Sequence, residues 1–557
     1  MKLSKNLSPE QLLERSQWLK EAGRLEEATL GFEKLQKLYP KFPPILNDLG
    51  ILYLHKGRFK EGVELLEKSL RIDSKQPFIS FNLGRALLAQ GKFKEAAHLF
   101  HHTKKLKPEF TEAYFNEAYA LFCLEKFEES QVLFQHLVSL NPNSVEAING
   151  LGISLYHSGK YNEALKHLKI ALNINSQSSE IHNNIGLALH KLNHFEEAIE
   201  HFSKAIALTP MYADAISNRG LTFQSMRKVD DALKDFNNAI TINPNHADAQ
   251  WNKSLLEIMI GNFQEGWLGY EWRWKSYSKK WARTFKEPLW LGQESLKGKT
   301  IYIYPEQGFG DFIQFCRFVP MLLKLDAQVI LEAPPLLTSL ALSLKGNIKI
   351  IKSGELAPYF DYQCPMMSLP LAFKTTLDTI PQQVPYLFAY KEKKETWNTW
   401  LGIKKLPRIG LAWSGAKGQA NDHNRSMKLE NLLPLLELPF EFHSLQKEIR
   451  AEDEIFLEKS LIKNHRDNLN DFSDTAALAE NMDLVISVDT SIAHLAGALN
   501  KQLFVLLAFN ADYRWLLNND QCPWYPNATL LRQSKIGDWG GPINDLIKTV
   551  EQMKFNF

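Results

Sequence analysis

The chain has 557 residues, 45% of them hydrophobic and 23% charged, which excludes disorder as its dominant state and leaves room for several domains. Sixty-five Lys and Arg against 63 Asp and Glu give a net charge of +2, a balance that argues against a dedicated nucleic-acid or membrane-surface binder. The four cysteines (Cys123, Cys316, Cys364, Cys522) are far apart with no CxxC pair, and no apolar run is long enough to span a membrane. With no signal-peptide core in MKLSKNLSPEQ, a soluble protein of a reducing cytoplasm is expected.

The first half is repetitive. Gly50, Gly84, Gly152, Gly186 and Gly220 are spaced by multiples of 34, and the same register holds Ser16, Ala118 and Ser254. Twelve residues on, the column is again small: Ala28, Gly62, Ala96, Ser130, Ala164, Ala198, Ala232, Gly266. Four further it is large: Phe32, Leu66, Phe100, Phe134, Leu168, Phe202, Phe236, Tyr270. Pro40, Pro108, Pro142, Pro210 and Pro244 form a helix-stopping column. Small residues let two helices approach, the large one fills the space between them, and proline ends the second. This is the tetratricopeptide-repeat (TPR) pattern, and eight units over residues 9–280 predict an α superhelical solenoid with a concave inner surface.

One more column bears on function. Asp48, Asn82, Asn116, Gly150, Asn184, Asn218 and Asn252 lie two residues before the small position. An amide both donates and accepts, so it pairs with a peptide unit whatever its side chain. This half resembles the nucleocytoplasmic O-linked N-acetylglucosamine transferases, in which asparagines at that position grip an extended peptide through its backbone. The resemblance makes Asn82, Asn116, Asn184, Asn218 and Asn252 candidate acceptor-peptide ligands; ordinary consensus usage of asparagine is the alternative.

Six of the thirteen tryptophans fall between Trp251 and Trp290, where GWLGYEWRWKS departs from the repeat. A solenoid end needs a cap, and an aromatic cap that also contacts the next domain is the favoured reading over a sugar-stacking platform.

Beyond Leu296, β-rich runs (TIYIYP, AQVILEAP, NIKIIKS, RIGLAWSG, EFHSLQ, DLVISVD, QLFVLLAFN) alternate with helical stretches. This predicts parallel sheets in α/β units, with the charged stretch YKEKKETWNTWLGIKKLP between two sets. Two Rossmann-like halves follow, at 281–395 and 396–557, with their sites beyond the C-terminal strand ends.

Three strand-to-helix turns carry candidate chemistry. In YPEQGFGDFIQF, a carboxylate occupies the place where an anion would bind, so Asp311 is either a candidate base or a helix cap. In VISVDTSIAHLAGALNK, Asp489, Thr490 and Ser491 open a helix whose free N–H groups suit a diphosphate, and His494 follows one turn later; capping and packing are the alternatives. In RIGLAWSGAKGQANDHNRSMKLENL, Ser414, Lys417 and Arg425 are candidates to neutralise a leaving phosphate. No Asp-x-Asp pair offers to hold a metal, and none is expected. Gln446, ending EFHSLQ, is a further candidate beside the nucleotide.

Taken together, EQGFGD, GLAWSG…NRS, HSLQ, DFSDTAALAENMDLVISVDTSIAHLAGAL and PWYP…GDW resemble the bacterial TPR-containing glycosyltransferases, whose catalytic half is heptosyltransferase-like with the two-Rossmann (GT-B) fold. The resemblance implies an inverting, metal-independent transfer from a nucleotide-sugar co-substrate, with no cofactor. It makes Asp311 the base, Asp489, Thr490 and Ser491 the binders of donor sugar and diphosphate, and Lys417 and Arg425 the basic loop. Expected partners are the donor and an acceptor protein in the TPR groove, glycosylated on Ser or Thr; flagellin is one acceptor the resemblance offers. The alternatives are transfer to lipopolysaccharide or another glycoconjugate, and an inactive TPR scaffold. No counterpart of the usual lipid-acceptor elements is found.

Overall fold

The computed structural model describes residues 7–276, 281–419, 421–517 and 519–555. These residues form two compact units, 1–222 and 223–557. The expected end of the repeat array, residue 280, lies outside the described residues.

Sixteen helices run from Pro9–Glu21 to Phe263–Tyr270 among the described residues. Their lengths alternate between 13 and 14 residues until the last, which has 8. Each repeat column has a structural cause. A Cβ on Gly84 would lie 2.8 Å from the Phe100 ring, and one on Gly186 would lie 2.6 Å from Phe202. The small residue of the first helix therefore makes the space into which the large residue of the second fits. Pro40, Pro108, Pro142, Pro210 and Pro244 stand just past the helices ending at Leu38, Leu106, Leu140, Leu208 and Ile242.

The second unit takes in the last repeat helices because their apolar face is continuous with the core of the α/β region. Ile258, Phe263, Trp267 and Tyr270 are buried in one cluster with Phe315, Phe318, Trp515 and Trp524. Trp267 is 2% exposed and Trp290 is 2% exposed, so both serve as core; Trp281 is 37% exposed. Behind Tyr270 the chain turns through Glu271–Lys275, and Arg273 enters the interior fully buried. Its Nε and Nη2 donate to Glu306 at 2.6 and 2.9 Å, Nη1 donates to Glu271 at 2.7 Å, and Nη2 also donates to Ser368 Oγ at 2.8 Å. Burial pushes the Glu306 carboxyl up while Arg273 pulls it down. A bidentate pair with every donor used is the form in which a buried charge is tolerated.

Two sheets follow, and every strand pairing within them is parallel. The first has the order β3–β2–β1–β4, from β1 (Thr300–Tyr304), β2 (Gln328–Ala333), β3 (Ile348–Lys352) and β4 (Tyr362–Pro365). The second has the order β10–β9–β8–β5–β6–β7, from β5 (Arg408–Ala412), β6 (Glu441–Ser444), β7 (Lys463–Asn464), β8 (Leu484–Val488), β9 (Leu503–Leu507) and β10 (Ala528–Arg532). Counted within each sheet, these are the doubly wound orders 3-2-1-4 and 3-2-1-4-5-6, which reverse direction beside the first strand. β5, β8 and β9 are buried along their whole length, as strands covered on both faces must be.

The charged stretch between the sheets is a helix, Lys391–Leu401, which packs against the helix Phe472–Glu480 and buries Trp397. The boundary read at 395/396 falls inside it. Lys393 and Lys394 bind Asp474 and Glu480 of that helix at 2.5 and 3.2 Å, which is why a stretch so rich in lysine is structured. No helix among the described residues is long and apolar enough to cross a membrane. All four cysteines are unpaired.

Candidate functional site

In a doubly wound sheet the crevice opens where the strand order reverses, at the C-terminal ends of the two strands flanking the reversal. In the larger sheet those strands are β5 and β8. The chain leaving β5 leads from Trp413 to the short helix Asp422–Arg425, and the chain leaving β8 leads through Asp489 and Thr490 to the helix that starts at Ser491. Together with the segment after β9 they line a small open pocket of about 50 Å³, whose wall includes Asn421, Arg425, Asp489, Ala508, Ala511 and Asp512.

The β5 loop is fixed by a buried polar frame. Gln446 Oε1 accepts the N–H groups of Trp413 and Ser414 at 2.6 and 2.9 Å, and its Nε2 donates to Ser414 Oγ and Glu448 O, each at 3.1 Å. Arg450 Nη2 then donates to Gly415 O at 3.0 Å, Asp422 Oδ2 at 2.6 Å and Ser426 Oγ at 3.0 Å. Gln446 and Ser414 are thus engaged in tying β5 to β6, while Lys417 is exposed outside the pocket lining. Arg425 reaches the pocket. It lies against Gly415, where a Cβ would stand 2.5 Å from its guanidinium, and its Nη1 donates to Asp489 O at 2.9 Å.

At the β8 turn, Thr490 caps the helix Ser491–Ala498: its Oγ1 accepts the Ile492 N–H at 3.2 Å and pairs with Ser487 Oγ at 3.1 Å. Asp489 lines the pocket, half-buried. Burial, and then the negative charge of Asp512, push its carboxyl up to about 6, against the pull of Arg425 and Arg514. His494 turns away into the interior. Its Nδ1 is 3.0 Å from Tyr525 Oη, its ring stacks on Trp515 at 5.2 Å, and burial holds it neutral.

The first glycine turn, leaving β1 of the smaller sheet, meets the same region. Gly308 caps the helix Phe309–Phe315, and Asp311, its third residue, accepts the Gly308 N–H at 2.8 Å. The capping reading of Asp311 is therefore real, but it uses only one carboxylate oxygen. The other is bound by Arg514, which also donates to Asp512 Oδ1 at 2.7 Å. Burial pushes Asp311 up while Arg514 opposes it. A Cβ on Gly310 would lie 2.9 Å from His494 Cδ2 and 3.6 Å from Ser491 Cα, so the two helix starts approach at a distance that glycine allows.

Asp311, Arg425, Asp489 and Ser491 are thus brought into one neighbourhood, with Thr490 and His494 packed behind it. Arg514, Asp512 and Asn421 belong to the same neighbourhood and escaped the sequence reading. The one signal available for Arg514 and Asp512 was their place in the segment that follows the buried strand β9. Among the described residues no group of three or more His, Cys, Asp or Glu is placed to hold a metal ion.

The asparagine column behaves differently from a row of free amides. Asn184 Nδ2 donates to Asn149 Oδ1 at 2.9 Å, and Asn218 Nδ2 donates to Asn183 Oδ1 at 3.0 Å, joining consecutive repeats. Asn116 Nδ2 donates to its own helix at Glu112 O. Asn82 and, in the second unit, Asn252 are half-buried.

Tetratricopeptide-repeat models match residues 43–76, 81–143, 143–210 and 213–246. Protein FlbA of Caulobacter vibrioides is 26% identical over 317 residues, 52% of this chain and 52% of that protein, so the chain spans about half the length of this curated relative. Among solved structures, a tetratricopeptide repeat protein from Parabacteroides merdae aligns at a TM-score of 0.38 and 18% identity, over 44% of this chain and 98% of its own. YrrB, described as a TPR protein with an unusual peptide-binding site, aligns at 0.28 and 22% identity, over 35% of this chain and 100% of its own. The chain carries tetratricopeptide repeats within residues 43–246, and its helical array is followed by a region of two parallel sheets.

Proposed function

We propose that this protein is an inverting glycosyltransferase of GT-B type, moving a sugar from a nucleotide-sugar to a Ser or Thr of a protein captured by its TPR array. The observation that carries the reading is the meeting of the Asp311 turn with the β8 turn, linked through Arg514 and Asp512 to the pocket at the strand reversal. The acceptor hydroxyl oxygen attacks the anomeric carbon, its proton passes to the Asp311 carboxylate, and the bond to the donor phosphate breaks with its electron pair going to phosphate oxygen. Arg425 and the N–H groups at the start of the Ser491 helix stabilise the departing phosphate. Asp489 accepts hydrogen bonds from sugar hydroxyls, a role in which a carboxylate in the pocket is useful instead of repulsive.

The test compares full-length wild type with Asp311→Asn, using UDP-, GDP- and CMP-linked sugars for binding and mass spectrometry of co-purifying proteins, flagellin included, for transfer. Binding retained with transfer abolished is expected. Undiminished turnover refutes Asp311 as base, and sugar appearing in glycolipid instead of protein refutes the acceptor. The engagement of both Asp311 oxygens, by Arg514 and by the Gly308 N–H, favours a second reading as a scaffold without transfer, which predicts that wild type binds none of the donors.

A further inference from the structure

The segment after β9, Phe509–Leu517, contains none of the turn motifs discussed above, yet it supplies the cation that holds Asp311. Arg514 is 8% exposed. Its guanidinium bridges Asp311 and Asp512, and Asp512 also accepts the backbone N–H of Arg514 at 3.1 Å, so the bridge is locked locally. With Gly308 N–H on one oxygen and Arg514 on the other, the Asp311 carboxylate has a single orientation.

Both ends of this segment are anchored on the last two repeats. Arg227, in the turn before the helix Val229–Ile242, donates Nε to Phe509 O at 2.7 Å and stacks over the Phe509 ring at 4.3 Å. Leu517 N–H donates to Met259 O at 3.1 Å. Between them, the Tyr513 hydroxyl donates to Tyr270 Oη at 3.4 Å.

We propose that Arg514 is the positioning residue for Asp311, and that the last two repeats position Arg514 in turn, so that they complete the transfer site as well as serving the array. This rests on the transfer reading above. The charged and titratable groups that face Asp311 are Arg514, Asp512 and Tyr513 from the β9 segment and Arg425 from the β5 loop, with neutral His494 on the Ser491 helix. Burial and Asp512 oppose ionisation of Asp311, and Arg514 is the nearest group that favours it. Without Arg514 the base is protonated at a pH where the wild type is ionised, and the loss is greatest at acid pH.

The experiment measures initial transfer rates against pH for the full chain carrying Arg514→Gln, Arg514→Lys or Arg227→Met, with binding of the same nucleotide-sugar followed in parallel. Arg514→Gln should move the acid limb upward by about one pH unit and lower kcat roughly tenfold, with KM for the donor changed by less than about threefold. Arg514→Lys keeps the charge, so it should leave the limb near the wild-type position while lowering kcat. Arg227→Met should displace the limb in the same direction as Arg514→Gln, by less. An unmoved limb in Arg514→Gln, or a loss confined to donor KM, overturns the inference while leaving the transfer reading intact. Should Arg514→Gln fail to fold, the lysine and Arg227 variants carry the test, and wild-type behaviour in both overturns it. A wild type that binds and transfers no donor removes the transfer reading, and this inference with it.

Discussion

Asp489→Asn tests the electrostatics of the pocket in the absence of any substrate. The carboxyl of Asp489 is pushed from 3.8 to about 6 by burial and by Asp512. An Asp whose folded value lies above its unfolded value opposes folding once it ionises. The penalty is absent below pH 4, grows between pH 4 and 6, and is constant above that. A displacement of about two units corresponds to at most about 3 kcal/mol, at 1.36 kcal/mol per unit. The amide of the variant carries no charge, so Asp489→Asn should be more stable than wild type by up to that amount at pH 7.5, and the gain should shrink toward zero near pH 4.5. Urea unfolding followed by tryptophan fluorescence is the assay. Of the thirteen tryptophans only Trp18 precedes residue 223, so the signal reports the second unit almost alone. A variant that is less stable at pH 7.5, or a gain of equal size at both pH values, refutes the reasoning.

Gly310→Ala should destabilise the second unit by about 1–3 kcal/mol, because the added methyl meets His494 at 2.9 Å and that ring is held by Trp515 and Tyr525. Gly418→Ala, where nothing lies within 4 Å, is the control and should change little in the same unfolding curves. Glu306→Gln leaves the fully buried Arg273 with Glu271 as its remaining carboxylate partner and should cost about 3 kcal/mol by urea unfolding, near the lower end for breaking a buried pair. A loss below about 1 kcal/mol would show that the pair adds little to the junction.

The repeat array was legible from the sequence because its packing is local. A column such as Gly84 with Phe100 spans sixteen residues, and the same contact recurs every 34, so periodicity alone reports the fold. The strand runs that matched β1, β2, β5, β6, β8 and β9 were legible for a similar reason, since strands buried on both faces read as apolar runs, whereas β3, a partly exposed edge strand, was read from its isoleucines. The strands β4, β7 and β10 were not named: β4 and β7 have only four and two residues, too short a run to read, and β10 is an edge strand buried over only part of its length. The reach of Asp311 was half legible: its capping role follows from the residues beside it, whereas its partner Arg514 lies 203 residues away. The asparagine column was visible as a column, but the hydrogen bonds from Asn184 to Asn149 and from Asn218 to Asn183 depend on how consecutive repeats are turned against each other. Sequence by itself thus determined the elements whose contacts repeat or lie close along the chain. Only the tertiary structure decided which charges meet, because a pairing such as Asp311 with Arg514 is set by two separate sheets packing in one unit, and no local pattern encodes that distance.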